Sequence, residues 1–154
     1  MDAHVPDDDG AADRFRTGLR ALGGNGLIIG IGVDLVDTKR VRVLLDRYGE
    51  RFAQRVFTER ERGYCRNERR RHECLGGRFA AKEAALKAIG TGLSHGIAWK
   101  DVELISGESQ PPRIQWHRRA AEIAESRGMK SCHVTITHDG DMAVAVVILE
   151  GDPA

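Results

Sequence analysis

The sequence predicts an α+β fold in which a mainly antiparallel sheet packs against one long central helix. Three observations carry that prediction. From Gly77 to Ile89 the chain strings together good helix formers, Ala, Leu, Lys and Glu, without a breaker. Two runs rich in β-branched residues, Cys132–His138 and Met142–Leu149, flank Asp139-Gly140-Asp141, a strong signal for a tight hairpin. Shorter β-type runs at Leu27–Val33, Trp99–Ile105 and Arg113–Trp116 supply further strands.

In chain order, residues 1–26 combine an Asp7-Asp8-Asp9 run with five glycines and lack an apolar period beyond Phe15, Leu19 and Leu22. They read as an extension of low functional weight, foreign to the native protein or an over-extended start, and the domain is expected over 27–151. Leu27–Val33 is a strand whose Gly30 and Gly32 permit close approach of another backbone or a ligand, with Asp34 at its end. Val41, Leu44, Leu45 and Tyr48 then recur at helical spacing, with Asp37 or Thr38 as N-cap and Gly49 as the stop. Arg40 and Arg47 are left pointing outward. Thr58 and Glu61 have capping-box spacing and open a polar helix.

The long helix is expected from Glu68 to Ile89, closed by Gly90 and weakened in its middle by Gly76 and Gly77. At about 100° per residue from Phe79, a buried face forms from Leu75, Phe79, Leu86 and Ile89. On the same wheel Glu83 lies about 40° and Lys87 about 80° away, so two charges stand at the edge of the apolar stripe. Gly90-Thr91-Gly92 makes a flexible turn, Pro111-Pro112 separates two strands, and a helix over His117–Arg127 ends at Gly128. His138 should then stand at a strand end beside the hairpin turn.

At 154 residues and 41% hydrophobic, the chain supports one core and one domain. Its longest apolar stretch, Met142–Leu149, is far shorter than the ~20 residues of a spanning helix, and no signal-like segment opens the chain. A cytoplasmic protein with no membrane partner is expected. Cys65, Cys74 and Cys132 are too few for a disulfide framework or zinc knuckle and fit reduced thiols, with Cys74 and Cys132 as core filler. Net charge is only +1, yet Lys39–Arg71 holds twelve Lys or Arg against five acids, a surplus of seven. Such a segment attracts an anionic partner: nucleic acid, polyphosphate or an acidic protein.

Asp34 and Glu83 are the candidate ligands of a hard cation. Mg²⁺ takes one or two protein carboxylates and completes its shell with water and phosphate oxygens, and Lys87, one turn beyond Glu83, would face phosphate. Plainer roles exist for each: a turn aspartate, an i,i+4 Glu-Lys pair, a solvated histidine beside an Asp-Gly turn.

These pieces occur together and in one order: Ile31-Gly32-Val33-Asp34, Arg40, Phe79-Ala80-Ala81-Lys82-Glu83-Ala84-Ala85-Leu86-Lys87, Gly90-Thr91-Gly92, and Val134-Thr135-Ile136-Thr137-His138. In this the chain closely resembles the small, holo-acyl-carrier-protein synthase class of 4′-phosphopantetheinyl transferases, over about Leu27 to Glu150. The resemblance implies that coenzyme A donates its phosphopantetheine arm to a serine of an acyl carrier protein, with Mg²⁺, in fatty-acid or polyketide biosynthesis. It further implies Asp34 and Glu83 as metal ligands and Lys87 as a phosphate contact. Arg78, Gly90, Thr91, Gly92 and His138 would line the coenzyme A site, and Asp139 is an additional catalytic candidate. Arg40, with its neighbours Arg47 and Arg51, would meet the carrier. Larger members of the superfamily carry Asp-x-Glu where this chain has Asp34-Leu35-Val36, so water would complete the metal shell. Proton removal from the serine is then open among that water, Glu83, and His138 or Asp139. Small members assemble as trimers, and a homotrimer is expected. The rival readings are a metal-dependent phosphohydrolase using the same two carboxylates, and a basic RNA- or anion-binding module. The second is disfavoured by a chain only 5% aromatic.

Overall fold

The computed structural model describes residues 26–107 and 109–152, so the expected extension lies outside the described residues except for Gly26. The elements are β1 (Leu27–Asp37), α1 (Thr38–Tyr48), α2 (Glu50–Val56), α3 (Glu59–Tyr64), a 3-10 turn (Glu68–Arg70) and α4 (Arg71–Ala88). A second 3-10 turn (Trp99–Asp101) follows, then β2 (Val102–Ile105), β3 (Arg113–Trp116), α5 (Arg118–Ser126), β4 (Met129–Asp139) and β5 (Met142–Gly151). The class is α+β, and all strand pairs are antiparallel: β1-β5-β4 form one sheet and β2-β3 a second. Among the described residues no helix is long and apolar enough to cross a membrane.

Helix α4 lies against the larger sheet at β1, and glycine sets how closely. A Cβ on Gly32 would come within 1.8 Å of the Ala84 carbonyl oxygen, and one on Gly30 within 2.2 Å of that of Ala88. Any larger residue would push the helix away. Gly76 and Gly77 serve the same end: a Cβ would meet Thr38 Cγ2 at 2.8 Å or the His138 ring at 3.0 Å. The mid-helix glycines therefore make contact surfaces, and their helix-propensity cost of about 1 kcal/mol each is offset by packing.

The single apolar stripe expected on α4 is too narrow. Leu75, Leu86 and Ile89 are buried, but so are Ala80, Ala81, Ala84, Ala85, Ala88, Arg78 and Lys82, while Phe79 is only half-buried and lies against Trp99, ring centroids 4.9 Å apart. Small side chains let sheet, α1 and β2 all close on the helix, so it is wrapped nearly all round.

Strand β1 runs past its expected end. Pairing with β5 continues through Asp34 opposite Ala145 to Asp37 opposite Met142, so Asp34 sits inside the strand. Asp37 caps α1, its side chain accepting from the Lys39 N–H at 2.9 Å, and Thr38 donates through both backbone N–H (2.7 Å) and hydroxyl (2.9 Å) to the Asp141 carbonyl. This ties α1 to the β4-β5 hairpin. Gly49, at φ 57°, ends α1 as expected, but a further short helix, α2, follows at once and buries Ala53 and Val56. The Thr58–Glu61 capping box is present at the start of α3.

Cys65 and Cys74 depart from expectation, because they form a disulfide. The end of α3 docks on the first turn of α4 and brings their Cα atoms to 5.5 Å, a bonding separation. Cys132 alone stays a free thiol, and burial pushes its pKa up to about 11, which fits an inert filler role.

The larger sheet has α4 on one face only. On the other, Ile31, Val33 and Leu35 are 61%, 54% and 60% exposed and pair across the strand with Ile148, Val146 and Val144. That apolar face is uncovered in the single chain.

Candidate active site

Strand alternation places Gly30, Gly32, Asp34 and Val36 on the face toward α4. After two glycines, Asp34 is the first of these with a polar side chain. Helix α4 answers with Phe79, Glu83 and Lys87, one turn apart along a single line. These residues, with Arg40 and Phe52 from α1 and α2, line a cleft of about 380 Å³. Lys87 Nζ donates to Asp34 Oδ1 at 2.8 Å and to the Val33 carbonyl at 3.1 Å. Its pKa is raised, chiefly by the hydrogen bond to Asp34. Glu83 is half-buried, and burial first, then the Asp34 charge, pushes its carboxyl above the usual range, with Lys87 opposing. A carboxylate raised by its burial and by a neighbouring carboxylate marks a site short of positive charge. Among the described residues no group of three or more His, Cys, Asp or Glu could hold a metal. Asp34 and Glu83 alone could hold a hard cation such as Mg²⁺, leaving most of its shell to water and ligand oxygens.

The remaining sequence-predicted residues do not join this cleft. His138 stands at the end of β4, and its ring lies over Gly77, with Nε2 donating to the Glu73 carbonyl at 3.3 Å. With Arg78, Gly77, Tyr64 and Cys74 it lines a second cleft of about 530 Å³. On a helix of 3.6 residues per turn, that cleft and the Asp34 cleft occupy nearly opposite faces of α4. Gly90 (φ 73°) and Gly92 (φ 56°) shape the turn that ends α4, where the Gly90 and Thr91 N–H groups donate to the Lys87 and Leu86 carbonyls at 2.9 and 3.1 Å. This turn lies ~18 Å along the axis from Arg78. Asp139 is exposed at the hairpin end beside His138. Arg40, Arg47 and Arg51 are exposed, Arg47 lying over the Tyr48 ring at 5.2 Å. One chain thus gathers Asp34, Glu83, Lys87 and Arg40, and separately Arg78 and His138.

Sequence reading missed what anchors the helix that carries Glu83. Lys82, beside Glu83, is fully buried and pairs with the equally buried Glu61 at 2.8 Å. Its Nζ also donates to the carbonyls of Trp99 and Val102, and Glu61 accepts from the N–H groups of Thr58 (2.9 Å) and Leu104 (3.0 Å). Burial pushes the Lys82 ammonium down, and Glu61 opposes that. The helical wheel held a signal: Lys82 falls about 60° from Phe79 on the side of Leu75 and Ile89, inside the apolar stripe, whereas Glu83 and Lys87 lie on its other edge.

Paired carboxylates and a lysine around one cleft, with a buried arginine in another, suit the handling of a phosphate group. The sequence profile of the 4′-phosphopantetheinyl transferase superfamily matches residues 30–147. A holo-[acyl-carrier-protein] synthase of Desulforudis audaxviator is 46% identical over 125 residues, which is 81% of this chain and 95% of that protein. The enzyme of the same name from Vibrio atlanticus is 42% identical over 80% of this chain and 98% of its own length. Among solved structures, the holo-[acyl-carrier-protein] synthase of Neisseria meningitidis superposes with a TM-score of 0.73 at 28% identity, covering 80% and 98% of the two chains. A Bacillus anthracis synthase in complex with CoA (3′,5′-ADP) gives 0.66 at 32% identity, covering 81% and 98%. The chain belongs to the 4′-phosphopantetheinyl transferase superfamily, among its holo-[acyl-carrier-protein] synthases.

Proposed function

We propose that residues 27–151 transfer 4′-phosphopantetheine from coenzyme A to a serine of an acyl carrier protein, converting apo carrier to holo and releasing adenosine 3′,5′-bisphosphate. Relatives named for this reaction, one solved with coenzyme A, support it. The observation in the chain itself that carries it is the Asp34–Glu83–Lys87 cleft at the crossing of β1 and α4.

Asp34 and Glu83 would hold Mg²⁺, which when bound offsets charge on the pyrophosphate and on the departing phosphate oxygen. The raised carboxyl of Glu83 supports this, since a cation relieves both its burial and its repulsion from Asp34. Lys87 is held over the cleft through Asp34 and the Val33 carbonyl, within reach of a phosphate oxygen. The serine oxygen bonds to the phosphorus of the phosphopantetheine half, the bond to adenosine bisphosphate breaks, and the hydroxyl proton leaves to a base. Glu83 and water held beside it are the groups of this cleft placed to take it. Positioning supplies most of the rate.

His138, Arg78 and the Gly90–Gly92 turn are proposed to bind the adenosine and phosphate end of coenzyme A. They lie apart from Asp34 and Glu83 in one chain, so a complete site calls for residues of neighbouring copies. A homotrimer whose uncovered Ile31, Val33 and Leu35 face packs against its neighbours would bring them together, in a cytoplasmic enzyme. Docking of the acidic carrier falls to Arg40, which lines the Asp34 cleft, and to exposed Arg47 and Arg51.

Intact-mass spectrometry of apo carrier incubated with the protein, coenzyme A and Mg²⁺ tests this. A phosphopantetheine mass added at the carrier serine is expected; coenzyme A hydrolysed without transfer would instead make the protein a phosphohydrolase. Arg40→Glu is expected to raise the carrier KM roughly tenfold while the coenzyme A KM stays within about twofold. Equal rises in both would remove Arg40 from docking.

A further inference from the structure

The second cleft contains a group whose needs the fold does not meet. Arg78 is only 5% exposed, and its Nε has no hydrogen-bond partner. Its guanidinium is held by two contacts: the Tyr64 ring, 4.2 Å from centroid to Cζ, and Cys74 Sγ, which accepts from Nη1 at 3.4 Å. Both belong to one covalent unit. Tyr64 is the last residue of α3, Cys65 follows as its cap, and Cys65 is bonded to Cys74, one turn before Arg78 on α4. Tyr64 is 53% exposed at the end of a six-residue helix, so the cross-link is the nearest tether keeping its ring over the guanidinium.

We propose that Cys65–Cys74 is a thiol–disulfide exchange site in the wall of the coenzyme A cleft, and that Tyr64, tethered by it, is a positioning residue for Arg78. The proposal rests on the transferase reading in taking the cleft's ligand as coenzyme A. The two sulfurs are unequal. Cys74 is half-buried and lines the cleft, whereas Cys65 is 1% exposed. The thiolate of a dithiol reductant therefore attacks Cys74 Sγ; the sulfur–sulfur bond breaks, and Cys65 leaves as a thiolate and takes a proton. The second thiol of the reductant then attacks the mixed disulfide at its own sulfur, releasing the Cys74 thiol, and departs as a cyclic disulfide. Two electrons and two protons pass to the protein. Freed of the tether, Tyr64 swings off Arg78, and the arginine loses its fixed direction toward a phosphate.

The full chain, air-oxidised or reduced with dithiothreitol, provides the test. Alkylation under denaturing conditions followed by mass spectrometry should count one free thiol, Cys132, in the oxidised protein and three after reduction. Reduction should raise the coenzyme A KM about fivefold, with kcat and the carrier KM changing less than twofold. Tyr64→Ala should show the higher KM in both redox states, and Tyr64→Phe, which keeps the ring, should restore the redox-dependent pair of values. Cys65→Ser/Cys74→Ser should match reduced protein; if that variant fails to fold, the reduced wild type takes its place. Three free thiols in the oxidised protein, or a coenzyme A KM indifferent to redox state, would overturn the proposal. Calorimetric titration with coenzyme A in both states separates this from the transferase reading. Absence of all transfer with a redox-dependent affinity would sink the activity and leave the switch, and active transfer with a constant affinity would do the reverse.

Discussion

Alanine at Asp34 or at Glu83 is expected to lower phosphopantetheine transfer at least about a thousandfold while circular dichroism stays as in wild type. Neither side chain is part of the hydrophobic core, and both open onto the 380 Å³ cleft, so their loss removes charge without leaving a void. Asp34→Ala also releases Lys87, which is half-exposed and can turn to solvent at little cost. Calorimetry should find the heat of Mg²⁺ binding in the presence of coenzyme A abolished in either variant. A pH profile adds a second readout. Because burial and Asp34 hold the Glu83 carboxyl above the usual range, its ionised form is lost on acidification earlier than that of an exposed glutamate. Protons and cation then compete, so raising Mg²⁺ should move the acid limb of kcat/KM to lower pH. Unchanged turnover with an unchanged spectrum in both variants would reduce the two carboxylates to structural residues.

The parts of this site that were legible in the sequence are those governed by local rules. The Thr58–Glu61 capping box, the Asp37 cap and the Asp139-Gly140 hairpin each depend on residues within a few positions, and each appears where spacing places it. Gly30 and Gly32 were also readable, since glycine inside a β-type run signals close approach. What escaped depends on long-range partners. Glu61 reads completely as a capping residue, so nothing local reveals that its other duty is to meet Lys82 across the core. The extent of β1 beyond Val33 is set by β5, more than a hundred residues away. The Cys65–Cys74 bond follows from α3 docking on α4, which composition cannot foresee. The division into two clefts arises for the same reason: a motif lists residues along α4, but helical geometry turns Arg78 and Glu83 to different sides.

Lys82→Ala is expected to destabilise the fold by about 3–5 kcal/mol, since it strands the fully buried Glu61 carboxylate. A thermal midpoint lowered by roughly 10–20 °C, read by circular dichroism or scanning calorimetry, checks this. Glu61→Ala should cost as much or more, because it also orphans the N–H groups of Thr58 and Leu104. The pair joins three elements, α3 through Glu61, α4 through Lys82 and β2 through Leu104 and Val102, so its loss loosens the helix that carries Glu83 and Lys87. Lys82→Met with Glu61→Gln separates charge from shape. The neutral pair fills similar volume, and an amide oxygen still accepts one of the two N–H donors, so the double variant should recover a large part of the loss of either alanine. Activity then distinguishes anchoring from chemistry. If Lys82 acts only by holding α4 in place, transfer should return as stability returns, and a double variant that is stable yet inactive would assign the buried ammonium a direct part in the reaction.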